Sequence, residues 1–323
     1  MIKHLKANKI ITLLLIAICF IFILNPKIYI NSCLNGLSVW ALKILPGLFP
    51  FFVLTRLIVS LSTPKTNVLD KFFCKTYRSP IGSLNTYLLS IISGYPMGAK
   101  LICTNYELGY FSKEDAKKML SYCSVSGPMF MIGTVGIGIL NSYKAGLCIM
   151  IANIIASLIN GLIYRGKKRE QNEFNPPIKT TNHNLLTDTV YDSMQSILMV
   201  GGFIVLSFLF VDIMLNLNIL QFISNSICSV FNCKNALNMV VSILIGGIEI
   251  TRGIIELSAA GIPLVYQTII ASGIIGFGGI SVLMQSISFL KKLNISTKTI
   301  IIQKLSQGII SVLIAIPLAI MLL

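Results

Sequence analysis

An apolar block at residues 84–104 contains the stretch Ser93-Gly94-Tyr95-Pro96-Met97-Gly98-Ala99-Lys100. Proline has no amide hydrogen to donate, and glycine permits backbone angles that other residues avoid, so we do not expect a continuous helix here. Inside a membrane, backbone groups freed by such a break are tolerated only beside protein or a water-filled cavity. The stretch therefore predicts a hairpin or broken helix with a solute-binding tip. The alternative is a packing kink followed by a snorkelling lysine.

The composition of the chain excludes a soluble globular protein. Of its 323 residues, 54% are hydrophobic and 11% are charged, and the mean hydropathy is +0.82. Soluble domains carry about 25% charged residues, so too few charges are present here to cover a surface in water. We therefore expect an integral membrane protein in contact with the lipid bilayer.

The other apolar blocks are of two kinds. A second interrupted block, at residues 237–258, contains Gly246-Gly247 followed by Glu249 and Arg252. The remaining blocks are long enough to cross a hydrocarbon core of ~30 Å; they lie at residues 10–25, 46–62, 121–142, 144–164, 194–217, 266–290 and 299–322. The predicted fold is an all-α polytopic membrane protein with about seven full spans and two re-entrant or broken-helix hairpins.

The basic residues predict the orientation of the chain in the membrane. The 26 Lys and Arg residues outnumber the 11 Asp and Glu residues, but they occur in short clusters between apolar blocks. Such clusters are typical of cytoplasmic membrane loops, so we expect no nucleic-acid partner. With a cytoplasmic N-terminus, most basic residues lie inside if both interrupted blocks are hairpins, whereas full crossings divide them almost evenly. The hairpin model is favoured, and it places residues 105–118 and 166–192 in the cytoplasm.

Under the hairpin model the two halves of the chain have inverted topology, and their motifs occur in the same order. Ser93-Gly94 corresponds to Gly246-Gly247, and Ser126-Gly127 corresponds to Ser272-Gly273. Inverted repeats with paired broken helices are typical of secondary transporters, whose binding site lies at the repeat interface. The predicted organisation is an N-terminal membrane anchor at 1–27, an interfacial helix at the outer surface at 28–45, a first repeat with a following span at 46–165, a cytoplasmic linker at 166–192 and a second repeat with a C-terminal span at 193–323.

Two further features indicate a binding site or a substrate or proton pathway. Ser126-Gly127-Pro128 has the pattern of a helix N-terminus, which attracts anions. Glu249 and Arg252 lie in an apolar block, where charges by default face a cavity. For the first feature, the alternative is close helix packing by small residues. For the second, the alternatives are a structural lock in which Glu249 and Glu256 neutralise Arg252, or an Arg252 side chain that reaches the membrane interface.

We therefore predict a site for an anionic solute between the two halves. In this hypothesis Lys100 and Arg252 approach one another, and Glu249 holds the guanidinium until the solute carboxylates replace it. The predicted substrate-binding residues are Gly94, Tyr95, Pro96, Lys100, Ser126, Gly127, Pro128, Glu249, Thr251, Arg252, Ser272 and Gly273.

The sequence contains no pattern of an enzyme or a metal site. Neither of the 2 histidines lies in a predicted span, and the chain has no HExxH motif and no phosphate-binding loop. We expect neither enzymatic activity nor a metal or cofactor. A proton or sodium ion is the expected coupling ion, and homo-oligomers or other membrane partners are compatible with the sequence.

Several motifs together resemble a family of sporulation integral membrane proteins, which belongs with the nucleoside-recognition or Gate-domain membrane proteins. The resemblance covers nearly the whole chain. Its motifs are Leu45-Pro46-Gly47-Leu48-Phe49-Pro50-Phe51-Phe52, Gly94-Tyr95-Pro96-Met97-Gly98-Ala99-Lys100, Ser112-Lys113-Glu114-Asp115-Ala116, Ser126-Gly127-Pro128-Met129-Phe130 and Gly247-Ile248-Glu249-Ile250-Thr251.

The resemblance implies a design similar to that of concentrative nucleoside transporters, with each repeat a Gate-like unit. It also implies a spore-forming bacterium, a place in the membrane around the forespore, and movement of dipicolinic acid toward the forespore. A nucleoside or other small-solute transporter and a non-transporting sporulation scaffold are the alternatives. A planar dicarboxylate needs cationic and N–H donors, which a neutral nucleoside does not.

Overall fold

The computed structural model describes residues 2–61, 67–166, 184–232 and 236–323, and across these ranges it contains helices and no strands. Its first half consists of α1 (Ile2–Leu24), α2 (Pro26–Val39), a π-helical segment (Trp40–Ile44), α3 (Leu45–Leu61), α4 (Val68–Tyr77), α5 (Ser83–Ser93), α6 (Met97–Glu107), α7 (Lys113–Cys123), a π-helix (Met129–Ile137) and α8 (Tyr143–Ile163). Its second half consists of α9 (Leu185–Asn216), α10 (Ile219–Val230), α11 (Leu237–Ile248), α12 (Ile250–Ser258), α13 (Leu264–Phe277), α14 (Gly279–Leu290), a 3₁₀ turn (Lys291–Leu293) and α15 (Thr297–Leu322).

Five helical segments in the described ranges are long and apolar enough to cross a membrane; they are Pro26–Leu61, Tyr143–Ile163, Leu185–Asn216, Leu264–Leu293 and Thr297–Leu322. Shorter apolar helices accompany them, including Leu15–Leu24 within α1. Large hydrophobic side chains stay exposed along these segments, as helices that face lipid require. The chain is an all-α polytopic integral membrane protein, as the sequence predicted.

The predicted interfacial helix at residues 28–45 is not a separate helix in the structure. These residues continue into α3 without interruption and form a single helical segment of 36 residues, Pro26–Leu61. The segment packs along α9: Ser32 donates a hydrogen bond to Asp212 at one end, the Trp40 indole N–H donates to the Ile197 carbonyl at 3.1 Å, and Arg56 pairs with Asp192. Residues 28–45 are therefore the first half of this segment, and their contacts with α9 hold them in place.

Two predicted full spans are divided. The block at residues 121–142 consists of the end of α7, a connecting segment at 124–128 and the π-helix that begins at Met129. The block at residues 266–290 turns at Gly278, between α13 and α14. Each half of the chain thus contains a hairpin (α5–α6 and α11–α12) followed by an interrupted helix.

The predicted linker at 166–192 is only partly visible, since residues 167–183 lie outside the described residues. α9 begins at Leu185, so the last part of the predicted linker belongs to the first turns of a long helix. The predicted capping pair is present in α7, where Ser112 and Asp115 hydrogen-bond each other's backbone N–H groups.

The base of the first hairpin is held by an aromatic cluster and a buried carboxylate. Phe73 and Tyr77 of α4 stack on each other, and the Tyr87 and Tyr122 rings pack against Phe73. Asp70, only 4% exposed, accepts hydrogen bonds from the backbone N–H groups of Gly82 and Leu84 at the start of α5. These contacts hold the start of α5, at the end of the hairpin opposite its tip, and the tip lies in the interior of the protein.

Candidate functional site

The tip of the first hairpin is the turn between α5 and α6. Gly94 adopts a φ of +73° there, and the Tyr95–Pro96 peptide bond is cis. A Cβ atom at Gly94 would lie 2.5 Å from the backbone nitrogen of Gly127, within van der Waals radii. The tip therefore touches the connecting segment 124–128 of the interrupted helix, and a glycine is required for that approach.

The tip of the second hairpin is a break at a single residue, Glu249. Its backbone is extended, with φ −137° and ψ 120°, between the last residue of α11 and the first of α12. Its carboxylate is 4% exposed and accepts a hydrogen bond of 2.7 Å from the backbone N–H of Arg252, so it caps α12. A charged side chain is thus held at the break.

The second hairpin also touches the interruption of the helix that follows it. Gly278 and Gly279 have φ values of +90° and +65°. A Cβ atom at Gly279 would lie 3.1 Å from the Gly246 carbonyl oxygen and 3.2 Å from that of Ile248. In both halves, a hairpin tip packs on the break of the next helix, so four interrupted backbones converge in the interior.

A small cavity of about 40 Å³ lies where these breaks meet. Its polar lining comes from both halves of the chain and consists of Tyr95, Ser126, Glu249, Thr251, Ser281 and Gln285. Gly127 and apolar side chains complete the wall; the latter are Ile44, Leu48, Phe130, Val200, Ile204, Ile250 and Val282. This volume holds a few water molecules, so a solute the size of an aromatic ring enters only if the surrounding segments separate.

The structure brings five of the predicted site residues together in this wall, namely Tyr95, Ser126, Gly127, Glu249 and Thr251. Three others are backbone determinants of the same region: Gly94 contacts Gly127, Pro96 precedes the first residue of α6, and Pro128 precedes the first residue of the π-helix. These eight residues line the cavity or adjoin the breaks beside it.

Lys100 and Arg252 do not approach one another, and that part of the hypothesis is wrong. The Lys100 ammonium donates hydrogen bonds to Ser196 and, at 3.2 Å, to the carbonyl of Asp192. The Arg252 guanidinium pairs with Glu256 at 3.0 Å and Asp212 at 3.7 Å. Asp192 and Asp212 lie on α9, about 30 Å apart at 1.5 Å per residue, so the two cations belong to opposite ends of that helix.

The predicted contact between Glu249 and the Arg252 guanidinium is also replaced by another arrangement. Glu249 binds the backbone of Arg252, and the side chain of Arg252 turns away toward Glu256 and α9. The alternative interpretation, in which two acidic residues neutralise Arg252, is therefore partly confirmed. Glu256 pairs with the guanidinium as expected, but the second acidic partner is Asp212 and not Glu249.

Ser272 and Gly273 do not correspond structurally to Ser126 and Gly127, because they lie inside α13 rather than at a break. The Ser272 hydroxyl is 2.7 Å from that of Ser311 and 3.2 Å from the Asn153 amide nitrogen. A Cβ at Gly273 would meet a methyl group of Val312 at 2.5 Å. Both residues serve close packing of α13 with α8 and α15, which was the alternative interpretation, and the structural counterpart of the break at 124–128 is Gly278-Gly279.

Sequence reasoning missed three polar residues at the convergence of the breaks. Ser281 and Gln285 lie on α14 and line the cavity. Lys304 of α15 is 2% exposed, donates a hydrogen bond of 2.8 Å to the Ser124 carbonyl and lies 5.5 Å from the centre of the Tyr95 ring. Lys304 could have been selected from the sequence, because it is an ionisable residue inside the apolar block at 299–322, and such residues often mark functional sites.

These features define a class of protein: an all-α integral membrane protein in which two hairpins and two interrupted helices surround a small polar cavity. The chain is similar to the sporulation integral membrane protein YlbJ of Bacillus subtilis (strain 168), with 29% identity over 331 aligned residues that cover 93% of this chain and 81% of that protein. The similarity confirms the resemblance to a sporulation integral membrane protein. No family model matches the chain, and no solved structure matches it.

Proposed function

We propose that the chain is a secondary transporter of a sporulating bacterium and that it carries a small organic anion, dipicolinic acid, toward the forespore. The observation that carries this proposal is the convergence of four interrupted helices on one polar cavity. Interrupted helices inside a membrane expose backbone groups that bind solutes, and pairs of them in inverted halves are typical of transporters. A scaffold needs neither the breaks nor the cavity.

The arrangement of charges around α9 supports alternating access. At one end of α9, Arg56 pairs with Asp192, and Lys100 of the first hairpin binds the carbonyl of the same aspartate. At the other end, Arg252 of the second hairpin pairs with Asp212. Each hairpin is therefore tied to a different end of one spanning helix. Breaking the interactions at one end of α9 at a time would expose the cavity to one side of the membrane and then to the other.

The sporulation role comes from the similarity to YlbJ, and the solute comes from the family that the motifs resemble. With the N-terminus in the cytoplasm, the end of α9 near Asp192 faces the cytoplasm and the end near Asp212 faces outward. The membrane around the forespore is the proposed location. Transport by this route requires no catalytic residue, so we propose no enzymatic activity.

A nucleoside is the second candidate solute, and the cavity lining favours it. The polar groups that face the cavity are hydroxyls, an amide and the carboxylate of Glu249, with no cation among the lining residues. Hydroxyl and amide groups suit the ribose and base of a neutral solute. The ammonium of Lys304 lies 5.5 Å from the centre of the ring of Tyr95, a lining residue, and supports the anion instead.

Uptake into proteoliposomes tests the proposal. Vesicles that contain the purified protein should accumulate labelled dipicolinate faster than protein-free vesicles, and unlabelled dipicolinate should compete better than uridine. Competition by uridine alone would establish the nucleoside function. Absence of uptake of either solute, with proton and sodium gradients applied in turn, would contradict the transporter and favour the scaffold.

A further inference from the structure

Lys304 lies at the point where elements of both repeats meet. Its ammonium donates hydrogen bonds to the Ser124 carbonyl at 2.8 Å and to Gln307 Oε1 at 2.9 Å. It lies 5.5 Å from the centre of the cavity-lining Tyr95 ring, and a Cβ atom at Gly278 would be 3.8 Å from its Nζ. The Lys304 ammonium thus contacts the 124–128 segment of the first interrupted helix. It also lies close to the tip of the first hairpin and to the Gly278 break of the second interrupted helix.

The ion pairs of the described residues do not include Lys304, which is 2% exposed. Its two hydrogen-bond acceptors are neutral oxygens. A buried cation loses its hydration, and neutral oxygens compensate for that loss less well than a carboxylate does. The site therefore has unused capacity to bind a negative charge.

The side chain of Gln307 supplies an independent observation. It is 1% exposed, and its amide nitrogen has no hydrogen-bond partner among the described residues, although its oxygen accepts from Lys304. Buried donors without a partner are rare in proteins and often mark a place where a ligand or water binds. Lys304 and Gln307, one helical turn apart, together present N–H donors in one place.

We propose that Lys304 binds a carboxylate of the transported solute and that the Gln307 amide is the second donor to it. This inference rests on the proposed function and names the residue that selects an anion over a neutral solute. When the segment at 124–128 moves to admit the solute, a carboxylate oxygen replaces the Ser124 carbonyl on the Lys304 ammonium. The cation that the sequence assigned to Lys100 and Arg252 is then supplied by α15.

The test compares binding of two ligands of the same shape to the purified full-length protein by isothermal titration calorimetry. Pyridine-2,6-dicarboxylate carries two negative charges, and pyridine-2,6-dicarboxamide carries none. Lys304→Gln should weaken binding of the dicarboxylate roughly ten- to a hundredfold and change binding of the diamide by less than about threefold. Lys304→Arg, which keeps the charge, should recover most of the dicarboxylate affinity. Lys298→Gln, which removes an exposed lysine of the same helix, is the matched control.

A second variant keeps the test decisive if Lys304→Gln does not fold. Gln307→Glu places a permanent carboxylate beside the ammonium, so it should fold at least as stably as the wild type but lose at least tenfold in dicarboxylate affinity. Equal dicarboxylate affinity in wild type, Lys304→Gln and Gln307→Glu would overturn the inference and leave the proposed function standing. A wild-type protein that binds the diamide or a nucleoside but no dicarboxylate would overturn both the inference and the proposed solute.

Discussion

Asp192 and Asp212 lie on one continuous helix, α9, about 30 Å apart, and each is paired with an arginine of a different element. Arg56 at the end of the Pro26–Leu61 segment binds Asp192, and Arg252 of the second hairpin binds Asp212. This separation is close to the thickness of a hydrocarbon core. The two ion pairs are therefore suited to close opposite sides of the cavity between them.

Asp212→Asn and Asp192→Asn should open different sides of the protein. The side chains of both pairs are at most about a third exposed and each substitution weakens the contact to an arginine, so each should cost about 1–3 kcal/mol of stability. A cysteine placed at the cavity residue Ser126 then reports access. In Asp212→Asn an impermeant thiol reagent should label it faster from outside, and in Asp192→Asn faster from inside. Equal labelling from both sides in both variants would contradict the idea that the two ion pairs close opposite sides of the cavity.

Gly94→Ala should disrupt the contact between the first hairpin and the interrupted helix. The positive φ alone should cost about 1–3 kcal/mol, and the new Cβ would also collide with the Gly127 backbone. Gly109→Ala is the matched control, since Gly109 has a φ of +76° and nothing within 4 Å of its Cβ position. Thermal unfolding and dipicolinate uptake should both be affected more by Gly94→Ala. If the two variants behave alike, the contact between the two breaks is unimportant.

Ser281→Ala and Gln285→Leu should weaken solute binding, whereas Ser272→Ala should mainly lower stability. The first two side chains line the cavity, and that of Ser272 joins α13 to α8 and α15. Loss of the Ser272 hydroxyl should cost about 0.5–1.5 kcal/mol. The measurements are solute affinity by calorimetry and the thermal unfolding midpoint for each variant. Loss of affinity in Ser272→Ala at unchanged stability would restore Ser272 to the binding site.

Single-cysteine labelling in intact cells tests the orientation of the chain. Lys113 and Lys144 are both exposed and flank the first interrupted helix, so the hairpin model places them on opposite sides of the membrane. In a background without reactive native thiols, Lys144→Cys should react with an impermeant reagent from outside and Lys113→Cys only after the cells are permeabilised. The reverse pattern would invert the proposed topology.

The sequence by itself determined the class of protein and the two apolar blocks that form hairpins, but it treated the interrupted helices at 121–142 and 266–290 as full spans. Low charge and long apolar blocks require a membrane, and the Gly-Tyr-Pro stretch at 94–96 and the Gly246-Gly247 block weaken continuous helices. These are local properties of the chain, so they can be read without knowledge of what packs against it. Gly94, Tyr95 and Pro96 were selected in this way, and Glu249 was selected because it is an ionisable residue in an apolar block.

Only the tertiary structure decided which polar side chains share a site. Lys100 and Arg252 occupy similar positions after their hairpin tips, yet packing against α9 turns them toward opposite ends of that helix. Ser272-Gly273 matches Ser126-Gly127 in letters, but it lies within a helix that is packed closely against its neighbours. Lys304 is remote in sequence from every motif, and α15 brings it to the breaks. Side-chain direction depends on how helices pack against one another, and hydropathy and motif spacing along a single chain do not contain that information.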